Sequence, residues 1–134
     1  MSDAIGTLRP GDTPASQISR GMVRITRDTA GRGPESARTT IGRDHVLVML
    51  RQTLTEGERV LLENQIEEPV KALRHAFQEV MREPAIELVE RVLGRRVIGF
   101  MSANHFDPDL AAELFVLESA PDAGILEEAE HTGG

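Results

Sequence analysis

The chain has 134 residues, 40% of them hydrophobic and 28% charged, with a formal net charge of −7 and no cysteine. That length builds one modest core, which excludes a multidomain enzyme and a repeat array, and the missing thiols exclude disulfides, thiolate catalysis and Cys-ligated metal centres. Four Phe, no Trp and no Tyr leave few stacking platforms, and a net-negative chain disfavours a phosphate grip, so no nucleic-acid partner is expected.

The charge is uneven: residues 1–52 carry a net +3 and residues 53–134 a net −10. Of the 15 basic residues only Lys71 is not Arg, a bias read as genomic composition before function. No apolar run nears the roughly 20 residues that span a bilayer. Residues 1–10 lack the basic and apolar regions of a signal peptide. The expected location is cytoplasmic, with membrane contact at most peripheral to the inner face of the plasma membrane.

In chain order, residues 1–14 carry Gly6, Pro10, Gly11 and Pro14 and few apolar groups, so a disordered arm is expected. The folded domain is expected over 15–118. A helix over 15–29 places Ile18, Met22, Ile25 and Thr29 on one face and Arg20, Arg24 and Arg27 on the other. The simpler reading is a core-facing helix with a solvated Arg face; the sharper one is a surface that meets an anionic membrane or a partner. Gly31 ends it as a left-handed cap.

Gly31-Arg32-Gly33-Pro34 is a breaker. Ser36–Ile41 and His45–Leu50 read as strands joined by Gly42-Arg43-Asp44, a hairpin. Leu54-Thr55-Glu56-Gly57-Glu58 opens a helix through a Thr55/Glu58 capping box. Pro69 starts the longest helix. Val70, Leu73, Phe77, Val80, Met81, Pro84, Leu88 and Val92 hold one phase until Gly94. Pro84 lies inside that phase, and the spacing predicts a kink there, with a break at Glu83 as the alternative. Val97–Ser102 and Glu113–Leu117 form a second hairpin around the turn-rich Asn104–Asp109. Residues 119–134, with Asp122, Glu127, Glu128 and Glu130, are read as an acidic disordered tail. The order α-ββ-αα-ββ predicts an α+β two-layer sandwich of four mostly antiparallel strands with helices on one face.

The chemistry-bearing candidates are sparse. Four scattered His and no HExxH pattern give no metal centre, and no cofactor is expected. Two glycines beside Arg32 suit an anion nest, with Arg38 or Arg74 as counter-charge. A structural turn is the simpler reading of that segment. Asn104, His105, Asp107 and Asp109 bring acid–base residue types into one loop, whose plain alternative is a polar hairpin turn.

Gly31-Arg32-Gly33-Pro34, Leu54-Thr55-x-x-Glu58, Arg74, Gly94-Arg95-Arg96-Val97 and Phe115-Val116-Leu117, in this order, resemble a small bacterial family, MpsC-like, over roughly residues 16–118. Some members of that family are described as the third component of a sodium-translocating membrane-potential-generating system. The resemblance implies association with membrane bioenergetics and supplies no catalytic residues; Pro84 departs from its pattern. Without a span this chain is no ion path through a bilayer. Three readings follow. The first is a non-catalytic accessory protein, expected to be a homodimer, that docks on an integral membrane transporter or another protein through Arg20, Arg24 and Arg27. The second is a regulatory domain that binds a small anion or nucleotide through Gly31, Arg32, Gly33, Pro34, Arg38 and Arg74. The third, an enzyme built on Asn104–Asp109, ranks last.

Overall fold

The computed structural model describes residues 12–122 and 128–132. Within them lie α1 (Pro14–Ala30), β1 (Ser36–Ile41), β2 (His45–Arg51), α2 (Glu56–Glu63), α3 (Glu68–Leu93), β3 (Val97–His105), β4 (Leu110–Leu117) and β5 (Glu128–Thr132). The fold is α+β, as expected: one antiparallel sheet in the order β3-β4-β2-β1-β5 with the helices packed on it.

Two expectations at the chain ends change. Thr13 caps α1 through a box with Ser16, and Pro14 takes a first-turn position, so residues 12–14 belong to the domain; the rest of the expected arm lies outside the described residues. Residues 128–132, placed by the sequence in a disordered tail, instead add a fifth strand along β1. The segment has no apolar alternation to announce it. It is held by main-chain pairing to an otherwise open sheet edge, and Arg38 faces Glu130 at 4.0 Å.

The period-2 pattern divides the sheet. Ala37, Thr39 and Ile41 of β1, Val46, Val48 and Leu50 of β2, and Ala111, Glu113, Phe115 and Leu117 of β4 are buried beneath α1 and α3. Helices α1 and α3 cross where Gly21 meets Leu88; a Cβ there would sit 2.7 Å from both Leu88 methyl carbons. A larger residue at position 21 would require the Leu88 side chain to shift.

Helix α3 runs unbroken for 26 residues through Pro84 and ends at Gly94 in the left-handed conformation. Its buried stripe is not the apolar phase read from the sequence. Val70, Met81 and Leu88 are buried as expected and Arg74 joins them, while Leu73 and Val80 stay 41% and 65% exposed. The second hairpin is also longer than expected. Pairing continues through Asn104↔Ala111 and His105↔Leu110, so the turn shrinks to 106–109, where the Asp107–Pro108 peptide is cis.

Candidate functional site

The densest polar chemistry lies under α3, where the β2–α2 connection meets the second hairpin. Capping chemistry starts it. The hydroxyl of Thr55 accepts the Glu58 N–H at 3.2 Å and Glu58 Oε1 accepts the Thr55 N–H at 2.8 Å. That box fixes the first turn of α2 and turns the Glu58 side chain inward, where it is 2% exposed. Arg74 enters from α3, its Nη1 donating to Glu58 Oε1 at 3.3 Å and to the Thr53 carbonyl at 3.4 Å, and its Nη2 donating to Thr53 Oγ1 at 3.0 Å. Thr53 passes the contact on: its hydroxyl and N–H donate to Asp109 Oδ1 at 3.2 and 3.1 Å, and the Leu54 N–H donates to Asp109 Oδ2 at 3.0 Å. One guanidinium thus ties α3 to α2, and through Thr53 to the hairpin turn.

Glu113 completes the cluster from β4. It lies on the helix-facing side, 1% exposed, and accepts a hydrogen bond from the Ser102 hydroxyl of β3. Burial pushes its carboxyl up to about 7, against the opposing pull of Ser102 and Arg74. A charge in a low-dielectric site is disfavoured unless paired, and the Arg74 guanidinium already holds Glu58. Glu58 Oε2 and Arg74 Nε are buried without a hydrogen-bond partner.

Two clefts flank the cluster. One of about 580 Å³ includes Leu54, Arg59, Leu62, Phe106 and Asp109 in its walls; the other, about 280 Å³, lies beside Arg74, His75, Ser102 and Asn104. Among the described residues no group of His, Asp or Glu is placed to hold a metal ion.

The structure distributes the six residues of the anion reading. Gly31 has φ 80° and spends its N–H on the Arg27 carbonyl at 2.9 Å. Arg32 leans on the Gln52 carbonyl at 3.4 Å. Gly33 is half-buried, Pro34 is buried and has no N–H to offer, Arg38 lies on the sheet face away from the helices, and Arg74 is committed inside. Of the Arg face, Arg24 and Arg27 are exposed, whereas Arg20 is paired with Asp12 at 3.0 and 3.1 Å. Asp109 of the turn-rich loop proves to be a receptor for backbone N–H groups; His105 contacts the Pro108 carbonyl at 2.8 Å.

Sequence reasoning marked Glu58 and Arg74 separately and missed Thr53, Ser102 and Glu113. Glu113 carries a signal in hindsight: Glu113, Phe115 and Leu117 alternate, so a strand that buries the last two buries the first.

These features define an antiparallel α+β domain with a buried ionic clamp, and no helix among its described residues is long and apolar enough to cross a membrane. The chain belongs to the family described as Na+-translocating membrane potential-generating system (MpsC), whose model matches residues 13–119. Comparison with curated proteins and with solved structures finds no match. The residues that carried the resemblance now have positions in space: Glu58 of the Leu54-Thr55-x-x-Glu58 segment is the ion-pair partner of Arg74.

Proposed function

We propose that this protein is a non-catalytic, cytoplasmic accessory component of a sodium-translocating, membrane-potential-generating system. In this reading it docks peripherally on an integral membrane partner. The observation that carries it is the family match over the whole described helix-and-sheet core from α1 to β4, in a domain whose described helices provide no span. Such a domain contributes to ion translocation through contact with another chain. The structural commitment of its strongest polar groups supports the same reading: Arg74, Glu58, Thr53 and Asp109 spend their hydrogen bonds on tying α3, α2 and the hairpin turn together.

The docking surface in this proposal is the exposed side of α1 at Arg24 and Arg27, in the basic half of the chain. Arg20 is engaged by Asp12 of its own chain. Charge-to-charge docking of this kind sets association rate and salt dependence more than core stability. The test is a tagged recovery from detergent-solubilised membranes of native cells, with mass spectrometry of co-eluting chains, comparing wild type with the Arg24→Glu/Arg27→Glu double variant. The expected result is an integral membrane transporter with the wild type and its loss with the variant, both at unchanged thermal stability. Recovery of the same transporter by both proteins removes the Arg surface from the proposal; recovery of none from membranes removes the membrane partner.

A further inference from the structure

The sheet has a second face. Helices α1 and α3 share the core on one side, and no described element covers the other. Alternation puts apolar side chains there. By register Met101, Leu114 and Leu47 stand side by side across β3, β4 and β2, a row of large groups. Two residues along, Ala103 and Ala112 stand side by side and Met49 continues that row on β2, so the row is small across β3 and β4 only. Met101 is 54% exposed and Ala103 is exposed, while Leu47, Ala112 and Leu114 are half-buried. Monomeric proteins seldom leave so contiguous an apolar patch in water.

We infer that this face binds a second copy of the chain, sheet against sheet. Three observations select that occupant. The first is relief. A two-fold axis lying across the strands, between these two rows, seats Met101 and Leu114 of each copy over Ala103 and Ala112 of the other and sets Leu47 against Met49. The second is charge. The same axis passes beside the middle of β2 and lays its two ends over each other, so Arg51 at one end of β2 approaches Asp44 and His45 at the other end in the second copy. Arg51 is exposed, and Asp44 is exposed and held ionised by its 2.7 Å contact with His45. The neighbouring Arg38 lies 4.0 Å from Glu130 of its own chain. The third is area. Five strands about 4.8 Å apart and four side-chain rows about 6.7 Å apart give roughly 600 Å² of flat face. With side-chain relief added, that approaches the about 800 Å² each partner buries in a standard interface. Two sheets of the same sequence also share one twist, which is what aligned sheet packing requires. The pairing does not depend on the membrane-complex reading, because it involves this chain alone.

The test is sedimentation equilibrium of the purified full chain across micromolar concentrations. The wild type is expected at twice the 14.7 kDa chain mass. Leu114→Glu is expected to be monomeric with an unchanged circular-dichroism spectrum, since its side chain faces away from the helices. Arg51→Asp sets carboxylates against each other and is expected to weaken the dimer by roughly tenfold or more. The exchange Asp44→Arg with Arg51→Asp is expected to restore it. A wild type that stays monomeric overturns the inference, as does a dimer indifferent to Leu114→Glu or an exchange variant no better than Arg51→Asp. A monomer that binds lipid vesicles through this face overturns it in favour of a membrane surface.

Discussion

Glu113 shows how one position on a strand changes the behaviour of a residue. The same carboxyl on the open face would be an ordinary surface acid; beneath α3, beside Ser102, it holds its proton to about 7 instead of the usual 4.5. The folded state therefore keeps a proton that the unfolded chain releases between those values. Stability from this group is full below about 4.5 and falls as pH rises to about 7. The loss is on the order of 3 kcal/mol. Glu113→Gln keeps a group that pairs with the Ser102 hydroxyl and carries no charge. Urea unfolding at pH 5, 7 and 8.5 is expected to show a falling midpoint in the wild type and a flat one in the variant, which becomes the more stable protein at pH 8.5. An equal slope in both would assign the pH dependence to other groups. Arg74 teaches the converse. Sequence reading offered it as a ligand contact, but its partners, Glu58 and Thr53, lie 16 and 21 residues away, and no local pattern shows that they converge.

At the scale of elements, α3 carries a proline where a helix least tolerates one. Pro84 lacks the N–H that would bond Val80 and crowds its carbonyl, yet the helix is continuous. Tertiary burial on both sides of it explains the tolerance: Met81 is buried on one side, and Ala85, Leu88 and Val89 on the other are packed in the core with α1 and the sheet. Pro84 itself is exposed, so replacing it forfeits no core contact. Pro84→Ala is expected to stabilise the protein by about 1–3 kcal/mol, read as a raised urea midpoint, against a proline penalty of about 3 kcal/mol in a helix interior. A lowered midpoint would mean that the ring is needed for the path of α3 over the sheet. The helix ends, by contrast, were legible. Thr55 with Glu58, Gly31 and Gly94 act where the sequence placed them, because caps are made by residues within a few positions of each other.

For the whole molecule, the charge split read from the sequence has a partial structural answer. The acidic end of the chain returns to the basic N-terminal half as β5, beside β1, with Glu130 near Arg38. Truncation after residue 122 leaves β1 as the edge of the sheet, with its outer N–H and C=O groups handed back to water. The truncated chain is expected to unfold several degrees lower while keeping its helical circular dichroism. An unchanged melting temperature would show that β5 adds nothing to the stability of the sheet.

The sequence by itself determined what depends on near neighbours. It gave the α+β class, the two hairpins, the three helices with the caps at Gly31, Thr55/Glu58 and Gly94, and the ordered residues that place the chain in its family. Period-2 and period-3.6 burial and local capping act over a handful of residues, so they are written in the chain. Tertiary structure alone decided the rest. It joined Glu58, Arg74, Thr53, Asp109 and Glu113 into one cluster, drew 128–132 into the sheet, and left one sheet face uncovered by any described element. Each of these is set by which surfaces meet across long chain separations, where polar satisfaction and burial are shared among elements that no local pattern connects.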